Sequence, residues 1–366
     1  MGFWNGLALR SFSGAGPFFA LAPMADVTDP AFRRLVAKYS RHGQPNGGPD
    51  VFWTEFVSAN GLMHEEGKKA LMRDLAYTEG ERPIVAQLFT ASPENMKKAA
   101  QLCRELGFDG IDINMGCPDR TIEKQGAGAC MIKTPEVAIE VLRAAKEGAG
   151  DIPVSVKTRV GYNKVEIEEW IPKLLNEGIA ALTIHARTRK ELSAVPADWS
   201  RIKRIVEIRN QMNVPTLIIG NGDVTTLEDG ELKAKETGCD GIMVGRGIFG
   251  NPWLFDRNRK ILQKGNWKTP WYSKLLPGFI ARKLRGGDAR YTVSEVGREE
   301  KLRVLIEHCE LYEQLLGDIK SFSIMKKHFK AYINGFPGAK ELRTELMEQG
   351  NSAKAVKEII EAFLKK

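Results

Sequence analysis

The sequence predicts a (β/α)8 barrel, also called a TIM barrel, followed by a small bundle of α-helices. Strand-like and helix-like segments alternate from residue 18 to about residue 262, and the strand-like segments are short apolar runs, as in parallel sheets covered by helices. Eight such units in about 245 residues match the length of a barrel. A doubly wound open sheet is the competing arrangement, but no GxGxxG motif follows the first strand, which counts against its dinucleotide-binding form.

Eight segments predict the strands in chain order: Phe19–Met24, Val51–Val57, Ile84–Phe89, Gly110–Gly116, Val154–Arg159, Ala181–Ala186, Thr216–Gly220 and Gly241–Gly245. Amphipathic stretches between them predict helices. Ser92 and Thr134 each precede a proline and a glutamate, which is typical of a helix start. Gly107, Gly178 and Gly238 predict helix ends, where glycine readily adopts the left-handed conformation.

By composition the chain divides into three parts. We predict a catalytic barrel over residues 1–262, a connector over residues 263–294, and a helical domain over residues 295–366. In the last part apolar residues recur at helical spacing, and the first such stripe consists of Leu302, Leu305, Ile306, Cys309, Tyr312 and Leu316. These stripes predict the core of a small bundle rather than a cofactor site.

The composition excludes several classes of protein. Five scattered cysteines without a CxxC pair indicate neither a disulfide framework nor a zinc site, and they suit a reducing cytoplasm. The apolar run over residues 18–25 is too short to span a membrane, and no signal peptide precedes it. The net charge of +8 permits a polyanionic partner without requiring one. We expect a cytoplasmic monomer with no membrane span and no metal.

The stretch Asp109–Pro118 carries the candidate for catalysis. It begins as a short strand, which Gly116 and Pro118 end so that Cys117 stands on a turn. A free thiol has a pKa of about 8.5 and is mostly protonated near neutral pH, so Cys117 is able to donate a proton. The alternative is that Cys117 is a small buried apolar residue, as most free cysteines are.

Seven of the eight predicted strand ends carry polar or special residues, and barrel enzymes hold their chemistry at this face. The candidates for binding a cofactor or a substrate are Pro23, Met24, Ala25, Gln87, Asn114, Lys157, Arg159, His185, Arg187, Asn221, Gly222, Asp223, Gly245 and Arg246. The glycine-rich ends of the last two strands predict a phosphate site, although tight turns alone would explain them. One phosphate at this corner and a ring system across the mouth fit flavin mononucleotide (FMN).

Two basic segments are candidates for RNA binding. The connector holds seven basic and five aromatic residues, and its central cations are Arg282, Lys283 and Arg285. Such interleaving suits phosphates and unpaired bases, but a packed connector with a solvated basic rim is an equal alternative. In the helical domain we expect an exposed patch that consists of Lys326, Lys327, His328 and Lys330. Basic runs on helices are often merely solvated.

Several motifs together resemble the tRNA-dihydrouridine synthases. They are Pro23-Met24-Ala25-Asp26-Val27-Thr28-Asp29, Asn114-Met115-Gly116-Cys117-Pro118, Val156-Lys157-Thr158-Arg159, Ile184-His185-Ala186-Arg187-Thr188-Arg189, Asn221-Gly222-Asp223 and Gly245-Arg246. The resemblance covers nearly the whole chain. It implies an FMN-dependent enzyme, with NADPH (or NADH) as reductant, that reduces the C5–C6 double bond of uridines in tRNA with a proton from Cys117. It also implies that Gln87, Lys157 and His185 hold the flavin and that the helical domain binds RNA.

Two other functions are open from the sequence. One is a small-molecule FMN-dependent barrel oxidoreductase similar to dihydroorotate dehydrogenase, which would leave the connector and the helical domain without a role. The other is a non-catalytic RNA-binding protein on a decayed barrel. The intact set of polar strand ends argues against the second.

Overall fold

The computed structural model describes residues 2–12, 16–259 and 296–365. Its strands are β1 (Phe18–Leu21), β2 (Phe52–Ser58), β3 (Ile84–Phe89), β4 (Gly110–Met115), β5 (Val154–Arg159), β6 (Ala181–His185), β7 (Leu217–Asn221) and β8 (Gly241–Val244). All the predicted strands are present, and their ends differ from the prediction by at most three residues.

The strands form one parallel sheet that closes into a barrel. The hydrogen-bonded order is β1-β8-β7-β6-β5-β4-β3-β2. The two ends of this order also meet, because Ala20 forms a parallel bridge with Val51 and the N–H of Leu21 donates to the carbonyl of Val51 at 3.2 Å. The predicted (β/α)8 barrel is confirmed, and the alternative of an open sheet is wrong.

The helices before residue 260 are α1 (Gly2–Phe12), α2 (Pro30–Tyr39), α3 (Ala59–Leu62), α4 (Glu65–Asp74), α5 (Pro93–Glu105), α6 (Arg120–Lys124), α7 (Pro135–Ala149), α8 (Ile167–Leu175), α9 (Ser200–Gln211) and α10 (Leu227–Thr237). The hydroxyl of Ser92 caps α5 by accepting from the N–H of Asn95, and Gly238 ends α10 in the left-handed conformation. Helix α1 was not predicted. Its Trp4 packs in the barrel core, with ring centroid 6.1 Å from that of Trp53.

The C-terminal helices are α11 (Arg298–Leu316), α12 (Lys326–Tyr332), α13 (Ala339–Gln349) and α14 (Ala353–Leu364). Their apolar faces form a second core, in which the predicted stripe on α11 is buried. Ala31 and Leu35 of α2 belong to the same core, so the bundle packs directly on the barrel. The predicted bounds at 262 and 294 fall outside the described residues and remain predictions. In the described part, no helix is long and apolar enough to cross a membrane.

Candidate active site

A chain of hydrogen bonds links buried side chains of β3, β4 and β5. The carboxylate of Asp112 accepts from the amide of Gln87 at 2.6 Å and from the hydroxyl of Ser155 at 2.6 Å. Gln87 in turn accepts from the amide of Asn114 at 3.1 Å. Burial raises the pKa of Asp112 to about 6, although the hydrogen bonds that its two oxygens accept act to lower the pKa. These bonds fix the orientation of Gln87 and Asn114 at the barrel mouth.

Cys117 lies half-buried on the turn after β4, and its backbone is held from both sides. The side-chain oxygen of Asn114 accepts from the N–H of Gly116 at 3.1 Å and from the N–H of Cys117 at 2.9 Å. The carbonyl of Cys117 accepts from the N–H of Ala129 at 2.9 Å. Burial raises the pKa of the Cys117 thiol, so the thiol is protonated at neutral pH. The turn therefore presents a protonated thiol in a fixed position.

Arg159 supports the same turn from β5. Its guanidinium donates to the carbonyl of Gly116 at 2.7 Å and to the carbonyl of Thr188 at 3.2 Å. The side chain is only 7% exposed, and burial lowers its pKa to about 10, which still leaves it charged at neutral pH. Arg159 thus ties the Cys117 turn to the loop after β6. Its predicted contact with the substrate stays a prediction.

Lys157 and Asn221 connect β5 to β7 across the barrel mouth. The ammonium of Lys157 lies 3.4 Å from the side-chain oxygen of Asn221, whose amide donates to the carbonyl of Met243 at 2.8 Å. Burial, and then the nearby charge of Arg159, lower the pKa of Lys157 to about 8. A half-buried cation with one long polar contact is suited to bind an anionic group.

The ends of β6, β7 and β8 form a cationic corner. Arg187 is 2% exposed, and its guanidinium donates to the ring nitrogen Nε2 of His185 at 3.1 Å and to a carboxylate oxygen of Asp223. Arg246, which is exposed, donates to the other carboxylate oxygen of Asp223 at 3.0 Å. Burial and the surrounding cations hold the pKa of His185 well below its usual range, so the ring is neutral and accepts from Arg187. The sequence did not predict that Asp223 bridges two arginines.

Glycine is required at the same corner. Gly222 has a φ of +134°, and a Cβ atom there would lie 2.7 Å from the Cβ of Ala197 and 3.3 Å from the ring of His185. At Gly245 a Cβ atom would contact Met24 at 3.6 Å, which brings the loop after β1 to the end of β8. Glycine at position 222 therefore lets Ala197 and the ring of His185 pack against the backbone of this corner.

The loop after β1 contains the predicted cofactor residues Pro23, Met24 and Ala25. The N–H of Met24 donates to the hydroxyl of Thr28 at 2.8 Å. The N–H of Asp26, the next residue of the loop, donates to the carboxylate of Glu55, a residue of β2 that is 4% exposed. Sequence reasoning missed Glu55, although an acid within the apolar segment VFWTEFV was a signal.

The predicted patch on α12 is only partly exposed. Lys327 and Lys330 are exposed, whereas Lys326 is half-buried and donates to the carbonyl of Met347 at 2.7 Å. These lysines line a groove of about 380 Å³ between α12 and α13. The prediction that His328 is exposed is wrong: its imidazole is fully buried, because helical spacing places it on the apolar face with Met325 and Tyr332.

The connector cations Arg282, Lys283 and Arg285 lie outside the described residues, so their predicted role remains a prediction. Among residues 2–12, 16–259 and 296–365, no group of three or more histidine, cysteine or acidic side chains is arranged to hold a metal ion.

Comparisons with known proteins agree on one family. The family model described as "Dihydrouridine synthase (Dus)" matches residues 20–366. "Probable tRNA-dihydrouridine synthase 2" of Bacillus subtilis (strain 168) is 38% identical over 352 residues, which are 96% of this chain and 95% of the relative. "Probable tRNA-dihydrouridine synthase" of Staphylococcus aureus (strain COL) is 36% identical over 341 residues, which are 93% of this chain and 91% of the relative.

Proposed function

Because this chain belongs to the dihydrouridine synthase family, we propose that it reduces the C5–C6 double bond of uridines in tRNA and that Cys117 supplies the proton. The family inferred from the motifs is confirmed by the match over residues 20–366. One observation carries the assignment of the proton donor. Cys117 is a half-buried, protonated thiol on a turn fixed by Asn114 and Arg159, at the mouth of the barrel.

The residues around the mouth fit FMN. Arg246, His185 and Lys157 supply an exposed cation, a neutral imidazole and a half-buried amine. We propose that the corner of Gly222, Gly245 and Arg246 holds the phosphate, and that Lys157 and Gln87 contact the polar edge of the ring. When bound and reduced, FMN would supply the hydride for C6 of uracil.

Protonation at C5 is the step that the chain itself performs. Apolar side chains of Phe89, Ile122 and Ala127 surround the thiol of Cys117 on one side. This environment keeps the proton on sulfur until a carbanion-like C5 is close enough to take it. We propose that NADPH (or NADH) is the reductant, because each reduction of uracil consumes two electrons.

The tRNA must deliver a uridine that is extruded from the folded RNA, because a stacked base cannot reach Cys117. We propose that three groups of cations contribute to tRNA affinity. They are the groove lysines Lys326, Lys327 and Lys330, the arginines Arg159 and Arg187 at the barrel mouth, and the connector cations Arg282, Lys283 and Arg285. Reversal of the connector charges should lower the log–log salt slope of tRNA binding by about 0.7 to 0.9 for each phosphate that the protein then fails to neutralise. We place the reaction in the cytoplasm and expect a monomer.

Sequencing of tRNA from a strain that lacks the gene tests the proposal. Loss of dihydrouridine at specific positions, restored by the unmodified gene but not by Cys117→Ala, is expected. Unchanged dihydrouridine would contradict it. A small-molecule reductase would instead reduce a free pyrimidine such as orotate and leave the tRNA unchanged, and a non-catalytic RNA-binding protein would restore modification with the alanine variant.

A further inference from the structure

A lysine of the C-terminal region lies in a cluster of carboxylates that belong to the barrel. Lys320 follows α11, and its ammonium lies 3.1 Å from Glu55 at β2 and 2.7 Å from Asp74 of α4. The three side chains are largely buried, between 5% and 18% exposed. Asp29, fully buried at the start of α2, adds another negative group to the same cluster. Lys320 is therefore a cation that compensates several barrel carboxylates.

Glu55 transmits this contact to the loop after β1. One of its oxygens faces Lys320, and the other accepts from the N–H of Asp26. Asp26 has a φ of +52°, a conformation that non-glycine residues seldom adopt without local support. Its own carboxylate accepts from Lys327 of α12 at 2.9 Å. Two lysines of the C-terminal region thus support one loop: Lys327 contacts Asp26 directly, and Lys320 acts through Glu55.

The charge on Glu55 depends on Lys320. Burial raises the pKa of Glu55 to about 7 and that of Asp29 to about 6, while the ammonium of Lys320 acts in the opposite direction on both. Without that ammonium, Glu55 would be a buried carboxylate beside two other acids, and it would take up a proton or admit water. Either change weakens the charge-assisted bond from the N–H of Asp26.

We infer that Lys320 and Glu55 are positioning residues for the flavin, because they hold the loop of Pro23, Met24 and Ala25 in its binding shape from the C-terminal region. This inference rests on the proposed function. Neither side chain needs to touch the cofactor. The effect passes through Asp26, whose backbone Glu55 fixes, to Met24, which faces Gly245 at the other side of the predicted phosphate corner.

The test measures the Kd for FMN of the full-length protein after removal of flavin, by quenching of flavin fluorescence. If Lys320→Met lowers the binding-competent fraction of the loop to about a tenth, the Kd rises about tenfold. Lys320→Arg keeps a cation within reach of Glu55 and Asp74 and should restore most of the affinity. Lys38→Met is the matched control, because Lys38 also joins the barrel to the bundle, through Glu307 at 2.7 Å, but contacts neither carboxylate. Its Kd should be unchanged.

A second substitution separates positioning from folding. In Lys320→Met, the added change Glu55→Gln removes the unpaired charge while the amide oxygen still accepts from Asp26, so part of the affinity should recover. Near-UV circular dichroism reports whether each variant is folded. If Lys320→Met does not fold, Glu55→Ala alone decides, because it removes the oxygen that accepts from the N–H of Asp26, and an unchanged Kd overturns the inference. Equal Kd values for Lys320→Met and the unmodified protein also overturn the inference. If the unmodified protein binds no FMN, the result contradicts the proposed function rather than the inference.

Discussion

The two sides of the barrel mouth are built in different ways. On the side of β4 and β5, the Cys117 turn is held by Asn114, three residues away, and by Arg159 on the neighbouring strand. On the side of β1 and β2, the loop that carries Asp26 is held by Glu55 and by Lys327, which lies 301 positions along the chain. The first side depends on the barrel alone, and the second also depends on the C-terminal helices. Substitutions on the two sides should therefore differ in whether they change dihydrouridine formation or the affinity for FMN.

The largest effect is expected at Cys117. Cys117→Ala removes the proton donor but no predicted contact of the flavin, so dihydrouridine formation should fall by at least about a hundredfold while FMN content stays the same. Formation is measured on tRNA that lacks dihydrouridine. Cys130→Ala is the control, since Cys130 is also a half-buried cysteine, next to Ala129, which binds the turn. Full activity of the Cys117 variant would exclude the thiol as proton donor.

Lys157→Met tests the half-buried cation on β5 at the barrel mouth. Removal of a charge-assisted hydrogen bond should raise the Kd for FMN about tenfold or more near neutral pH. In the unmodified free protein the pKa of Lys157 is lowered to about 8, and an anionic ligand would favour the protonated amine. Affinity should then be constant below about pH 8 and fall above it by up to about tenfold per pH unit. If Lys157→Met shows the same dependence on pH, Lys157 is not its source.

A smaller effect is expected at the interface between barrel and bundle. His308 and His328 are fully buried, their ring centroids are 4.4 Å apart, and both pack on Phe32 of α2. Burial, and then the charge of Lys327, lower the pKa of His328 to about 3. Below about pH 6.5 the unfolded chain therefore binds a proton at this histidine that the folded chain does not bind. The stability contributed by this neutral ring is present above that pH and is lost as the pH falls.

His328→Phe should remove this loss. Relative to the unmodified protein, its free energy of unfolding should rise by up to about 1.4 kcal/mol for each pH unit below about 6.5. Urea unfolding at several pH values measures the difference. His64→Phe, at an exposed position before α4, is the control for the replacement of a histidine and is unfolded under the same conditions. A difference for His328→Phe that does not vary with pH would contradict this account.

The contrast between the two sides also explains what could be predicted. Strand positions and the Cys117 turn follow from local patterns: short apolar runs, then Gly116 and Pro118. The sequence could not show that Lys320 meets Glu55, because only the packing of α2 against the C-terminal core brings residues 265 positions apart together. His328 was misjudged for a related reason. Three flanking lysines suggested a solvated face, but one turn of helix separates it from Tyr332 on the buried face.

The most direct test of the central claim is a single turnover without oxygen. The flavin of the unmodified protein is reduced with a limiting amount of NADPH, and tRNA that lacks dihydrouridine is then added. The account predicts that the tRNA reoxidises the flavin and gains dihydrouridine in equal amount, and that Cys117→Ala starts with the same reduced flavin but gives no such product. A flavin that stays reduced in the unmodified protein until oxygen is admitted would contradict the claim that this barrel reduces uridine in tRNA.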